Sequence, residues 1–157
     1  MREHARGLLR AYGQFLLDTG SCSTHIPRLE QEIATLPTAY TARGGELLLV
    51  LVDEEPAACI AYRSAVEDTS GNSCEIKRLF VLPAFRGHGL ARRLVAETLG
   101  FAASRGFTRA ILDTDAATMP AAMALYRSLG FRRYQSDQGN LSYLELDLPP
   151  VARGLSG

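Results

Sequence analysis

Leu79-Phe80-Val81-Leu82-Pro83-Ala84-Phe85-Arg86-Gly87-His88-Gly89-Leu90-Ala91 is the stretch whose reading decides the fold. It is an apolar strand that stops at a proline, turns through two glycines and enters an amphipathic helix. Leu90, Leu94, Val95, Thr98, Leu99 and Ala102 recur at helical spacing, while Arg92, Arg93, Glu97 and Arg105 fall elsewhere on the wheel. Such a junction aims several unpaired backbone N–H groups at one spot, and the helix macrodipole adds about half a positive charge there. A phosphate fits that spot, and glycine admits its close approach because no Cβ intervenes. Arg86 adds a permanent cation.

Two common phosphate-loop fingerprints fail here. A P-loop needs Gly-x-x-x-x-Gly-Lys-[Ser/Thr], and no Lys-Ser or Lys-Thr follows. A Rossmann loop needs Gly-x-Gly-x-x-Gly, and the third position, counted from Gly87 and Gly89, is Arg92. What does match is Arg-x-x-Gly-x-Ala over Arg86 to Ala91, which resembles the pyrophosphate loop of the GNAT superfamily of N-acetyltransferases. A second stretch, Ala124-Leu125-Tyr126-Arg127-Ser128-Leu129-Gly130-Phe131, resembles the Leu-Tyr-x-x-x-Gly-Phe ending of the last helix in that superfamily. The two lie in the family's order, joined by a predicted strand. The run from Cys74 to Pro83, with Leu112-Asp113-Thr114 and Tyr143 to Leu148, is similar to bacterial GNAT acetyltransferases. The resemblance covers residues 46–148 well and the N-terminal helices loosely.

Length and composition set the frame. At 157 residues the chain makes one domain, able to bury roughly two thirds of its unfolded surface. Seventeen basic residues balance seventeen acidic ones, which argues against a general binder of nucleic acid or of membrane surfaces. No apolar run nears the roughly 20 residues that span a bilayer, and the start reads as a charged helix and not as a signal peptide. The expectation is a cytoplasmic protein. Cys22, Cys59 and Cys74 lack paired spacing, so reduced, buried thiols are expected. His4, His25 and His88 do not cluster with acidic residues or cysteines, so no metal is expected.

Periodicity predicts helices over residues 2–17 and 27–36, with Leu8, Leu9, Tyr12, Phe15 and Leu16 on one face of the first. Glu46 to Val52 is an apolar run of strand length suited to a sheet covered on both faces. Asp53 to Pro56 turns it back into a strand over 57–62, and residues 74–82 form the strand that feeds the loop. A crossover helix leads to a strand over 108–113, parallel to its predecessor. A helix over 116–129 and a closing antiparallel pair, 131–134 with 141–148, complete the series. The tail from Pro149 is expected to fray. The class is α/β.

The resemblance implies more. It implies a mixed central sheet with splayed parallel strands, helices on both faces, and an acetyl-CoA cofactor lying across the splay. The backbone of Phe80, Val81 and Leu82 would pair with the pantetheine arm, and the N–H groups over Arg86, Gly87, His88, Gly89, Leu90 and Ala91 would hold the pyrophosphate. Tyr126 would lie near the thioester sulfur as cofactor contact and catalytic acid. Glu75, eleven positions ahead of Arg86, takes the place of the glutamate that histone-acetylating members use as base; flanked by Cys74 and Ile76, it is either base or contact for the substrate ammonium. The chemistry needs such groups: an amine must shed a proton before it attacks, the departing thiolate needs one, and a strand N–H can steady the oxyanion. Tyr40 stands where family members gather substrate contacts.

The implied activity is acetyl-CoA-dependent N-acetylation of a primary amine in a small molecule or peptide; the alternative is a non-catalytic acyl-CoA sensor on the same fold. Two departures stand out. Met119 occupies the position of a family asparagine seven residues before the tyrosine, and the chain enters a helix at once, so the first edge strand is lacking or short. That leaves a sheet edge a second copy could cover as a homodimer.

Overall fold

Leucines at helical spacing decide where the N-terminal helices sit. In α1 (Arg2–Asp18) Ala5, Leu8, Leu9 and Leu16 are buried on one side, and in α2 (His25–Ala34) Leu29 and Ile33 are buried with them. The computed structural model describes residues 1–20, 25–66 and 68–150; residues 21–24, which include Cys22, residue 67 and the tail after Pro150 lie outside them. A further helical turn, α3 (Thr38–Thr41), follows Pro37. The strands are β1 (Glu46–Val52), β2 (Glu55–Ser64), β3 (Ser73–Val81), β4 (Arg109–Asp115), β5 (Arg132–Gln138) and β6 (Leu141–Asp147). Two helices cross over between them, α4 (Leu90–Ser104) and α5 (Pro120–Ser128).

The sheet order is β1-β2-β3-β4-β6-β5, with β3 and β4 parallel and every other neighbour pair antiparallel. One face packs Ile60, Tyr62, Ile76 and Leu112 against Leu94 and Val95 of α4 and Met123 of α5. The opposite face packs Cys59, Ala61 and Phe80 against α1, α2 and Tyr40 of α3. In that strand order β1 is one edge of the sheet. Its side chains do face both layers, but an edge strand has one neighbour, and none of them is fully buried.

Several boundaries differ from the periodicity, with β5 running on to Gln138 and α2 spanning His25–Ala34, and two of the differences have a visible cause. Asp53 and Glu54 both adopt positive φ (50° and 67°), the pair of left-handed residues a two-residue hairpin turn needs. β2 therefore starts at Glu55, earlier than the strand expected from residue 57. In α5 the start moves from residue 116 to Pro120. The Asp115 carboxylate accepts the N–H groups of Ala117 (3.0 Å) and Thr118 (3.3 Å), and this local alternative to helix holds 115–119 as a turn.

β3 is bent where it matters. Cys59 faces Phe80 but Ala61 faces Lys77, so Arg78 and Leu79 together oppose Ile60 as a bulge. Arg78 takes the left-handed conformation there, φ 62°. Its guanidinium is buried and donates to both oxygens of Glu32 on α2, Nε at 2.9 Å and Nη2 at 2.8 Å. The Tyr40 hydroxyl donates to the same carboxylate at 2.5 Å. Burial alone would push the Glu32 carboxyl up; the hydrogen bonds and charge of Arg78, with help from Tyr40 and Lys77, outweigh it and bring it down to about 2.

Removing one partner of such a pair leaves the other charge buried and uncompensated. Glu32→Gln should therefore cost about 3–5 kcal/mol at pH 7 in urea denaturation. The Glu32 carboxyl titrates at about 2 when folded, against an ordinary 4.5. Its contribution is thus complete above the ordinary value and is lost as pH falls towards about 2. The parent chain's stability should drop across that window more steeply than that of Glu32→Gln, and parallel curves would refute the assignment.

Candidate active site

The parallel strands pair only from Ser73 to Glu75 and from Arg109 to Ile111. Beyond that point β3 runs on to Val81 and β4 to Asp115 with no ladder between them. This is the splay expected of the two strands, and Glu75 sits in its crotch. A cavity of about 90 Å³ fills the fork, lined by Glu75, Lys77, Asp113, Tyr12, Tyr126 and Arg28 among others. A longer groove of about 470 Å³ continues from it towards the loop and shares Leu79, Met119 and Ala122 as walls. Its lining is mainly apolar, with Phe15, Phe80, Val81, Leu90 and Leu125.

The loop ends the groove. Pro83–Phe85 makes one 3₁₀ turn, and Gly87 and Gly89 follow with φ of 83° and 76°. A Cβ built on either would meet no atom within 4 Å, so it is the left-handed backbone and not crowding that calls for glycine, and the space above stays open. Gly89 is the N-cap of α4. Consecutive backbone N–H groups from Gly87 through Arg92 make no hydrogen bond among the described residues.

Arg86 is less free than its charge alone implies. Its Nε donates to the Val81 carbonyl at 3.0 Å, and its guanidinium lies over the rings of Phe15 (5.3 Å) and Phe80 (5.8 Å). It braces the loop on α1 while keeping its charge at the groove. His88 is exposed, and its Nδ1 lies 3.2 Å from the Phe85 carbonyl, so the ring folds back on the loop.

Tyr126 reaches the fork from α5, buried, its ring edge-on to Phe131 at 5.5 Å. Burial, with smaller effects from Tyr12 and Asp113, pushes its phenol well above the usual value. Its hydroxyl makes no hydrogen bond among the described residues. Glu75 is partly exposed, and the Lys77 ammonium lies 3.7 Å from its Oε1. Met119, where the family has asparagine, is the N-cap of α5 without a side-chain cap; Pro120, which has no N–H to satisfy, follows it.

The structure corrects the expectation for Tyr40. It is fully buried, its hydroxyl is committed to Glu32, and it lines neither the fork nor the groove. A desolvated phenol needs a partner, and the nearest is a structural carboxylate. Tyr12, Arg28, Lys77 and Asp113 are fork residues to which sequence patterning assigned no site role; Tyr12 stood only on the apolar face of the first helix, and Asp113 only in the family-like Leu112-Asp113-Thr114 run. Lys77 alone had a legible signal, a cation two positions from Glu75 on a mainly apolar strand.

Residues 15–131 match the profile of the Acetyltransferase (GNAT) family. An uncharacterized N-acetyltransferase of Schizosaccharomyces pombe is 32% identical over 127 residues, 76% of this chain and 74% of that protein. The uncharacterized N-acetyltransferase YjgM of Escherichia coli is 35% identical over 75 residues, 48% of this chain; the match spans 44% of its own length. Among solved structures, yncA of Salmonella typhimurium, determined with acetyl-CoA, superposes with a TM-score of 0.73 at 16% identity, over 100% of this chain and 95% of that one. That likeness is one of fold.

Burial also pushes the thiols of Cys59 and Cys74 up to about 12. Neither should be alkylated by iodoacetamide in the native protein at pH 8, and both should be alkylated in urea, as read by mass spectrometry. Labelling of either in the native state would refute their burial as unreactive thiols.

Proposed function

The chain belongs to the acetyltransferase (GNAT) family, and from that premise we propose that it is an acetyl-CoA-dependent N-acetyltransferase. It would transfer the acetyl group directly to a primary amine of a small molecule or peptide. The observation that carries the reading is the run of unpaired N–H groups from Gly87 to Arg92, set at the end of an apolar groove that opens onto Glu75 and Tyr126.

The groove suits the donor part by part. Unpaired donors at a helix N-terminus suit a pyrophosphate, and the open space over Gly87 and Gly89 admits it. The apolar wall of Phe15, Val81 and Leu125 suits a pantetheine arm, and the β3 backbone past Glu75, unpaired with β4, is available to its amides. When bound, acetyl-CoA would supply an activated thioester carbonyl.

The chain's own residues would move the protons. Glu75, at the crotch of the fork, would take a proton from the acceptor ammonium, directly or through one water. Tyr126 holds its proton firmly and would hand it to the leaving sulfur as the C–S bond breaks, regaining the second proton that the nitrogen gives up once the new N–C bond has formed. Lys77 beside Glu75 and Arg28 on α2 would meet whatever else the acceptor carries.

Thermal unfolding tests the donor. Acetyl-CoA at a hundred times its Kd should add about 2.7 kcal/mol, or roughly 5–10 °C at this size. ATP should not reproduce the shift, and Gly89→Val, which strains the backbone and fills the cradle, should abolish it. Tyr126→Phe and Glu75→Gln should keep the shift while lowering kcat in a thiol-release assay by about 10²–10⁴. A shift without thiol release from any amine would replace the enzyme with an acyl-CoA sensor.

A further inference from the structure

We infer that the acceptor is a free α-amino acid, its carboxylate held by Lys77 and Arg28 and its amine presented to Glu75. The inference rests on the acetyltransfer reading and names the substrate class of the same fork.

The charges lining the fork are of both signs. Arg78 and Glu32 satisfy each other through two short hydrogen bonds. Asp115 is occupied by the N–H groups of Ala117 and Thr118. Glu75 and Asp113 then face Lys77 and Arg28 across about 90 Å³.

Lys77 is the informative member. Its side chain is nine-tenths buried, yet its ammonium makes no hydrogen bond among the described residues; its nearest carboxylate oxygens, on Glu32 and Glu75, are each 3.7 Å away. An ammonium brings three donors, and burying it without acceptors is costly. Glu32 already accepts from Arg78 twice and from Tyr40 once, which leaves it poorly placed to serve a second cation.

The bulge at Arg78 explains how two cations come to share one side of a strand: both Lys77 and Arg78 approach Glu32 on α2. Arg28 lines the fork cavity and also a cavity of about 270 Å³ behind it, where Glu32 and Arg63 stand, and it has no partner of its own among the described residues. Arg63, opposite Glu75 on β2, keeps a buried Nε without a hydrogen bond among the described residues.

A ligand with opposite charges on neighbouring groups fits this arrangement. An α-amino acid carries its amine and carboxylate on one carbon, and the fork carries an acid and a base 3.7 Å apart. A carboxylate would supply the acceptors that Lys77 and Arg28 lack among the described residues, while the amine would reach Glu75. A simple amine would instead place a second cation beside Lys77, Arg28 and Arg78, and a polyanion would meet Glu75 and Asp113.

The test is thiol release with acetyl-CoA and the common L-amino acids, each beside its α-carboxamide. Amidation keeps the amine and removes only the anion. For the preferred acceptor it should raise KM on the order of 10–100-fold, the loss of a charge-assisted hydrogen bond, with kcat changed far less. Lys77→Met and the exposed-site variant Arg28→Met should each shrink that ratio while leaving KM for acetyl-CoA unchanged, and Lys77→Arg should restore part of it. An amide or simple amine accepted as well as the acid, or a preference that survives both substitutions, would overturn the inference.

Calorimetric titration of the same acids and amides into the parent chain and Arg28→Met, with and without coenzyme A, reads the carboxylate preference without turnover. Binding of an acid that is lost in its amide and weakened in Arg28→Met would support the carboxylate contact of the inference, and thiol release from that same acid its role as acceptor. Equal binding of acid and amide, or binding of neither, would refute it. Failure of the acetyltransfer reading shows elsewhere, in the absence of thiol release from any amine, whatever the acetyl-CoA thermal shift.

Discussion

The ion pair between Glu32 and Arg78 is the constraint on which the acceptor side of this structure depends. An arginine at φ 62° is a costly choice, of order 1–3 kcal/mol, and persists only where its surroundings over-determine it. Here two hydrogen bonds to a buried carboxylate on α2 do so. The same contact docks α2 on the sheet, holds β3 in its bulge and orders Tyr40 beneath. Even the bulge's carbonyl is used, accepting from the Cys59 thiol at 3.3 Å. One interaction between elements far apart in the chain thus shapes both a layer contact and a strand.

The fork follows from the same strand. Because β3 and β4 stay paired only as far as Glu75 and Ile111, side chains from the two sides of the sheet can meet in the gap. Tyr126 arrives from the α4–α5 layer, and Tyr12 from the α1–α2 layer. Glu75 and Asp113 stand on either rim. A continuous ladder would have kept them apart with a full row of backbone hydrogen bonds. The loop over Gly87 and Gly89 then needs only to lie beyond the same strand's end for groove and fork to become one channel.

Much of this was legible where the cause is local. Proline, two glycines and a helical period encode the loop within a dozen residues, and the Leu125-Tyr126…Gly130-Phe131 segment is as local. The bulge left no comparable mark. Arginine has no preference for the left-handed region, and the residue that forces it, Glu32, lies 46 positions away. Tyr40 was misplaced for the same reason: its fate is set by one buried carboxylate that periodicity does not distinguish from a surface glutamate. The start of α5 was misread because Ala116 to Met119 suits a helix, and a single Asp115 carboxylate competing for their N–H groups decides otherwise.

Composition was silent about the acceptor because the electrostatics are local. Seventeen positive and seventeen negative residues cancel in the sum. A charge that is solvated on a helix surface, however, counts for little beside one taken out of water. Lys77, Arg63 and Arg78 are all largely buried and gather around one Glu32, so desolvation itself singles out this face. Burial pushes the Lys77 ammonium below its usual value, with Arg78 acting in the same direction and Glu75 and Glu32 against it. Such a group is held near its cost limit by the fold, and an incoming carboxylate would relieve it more than it would relieve any exposed cation. The selectivity of the fork therefore resides in how few acceptors the fold has left for Lys77, a quantity that residue counts do not contain.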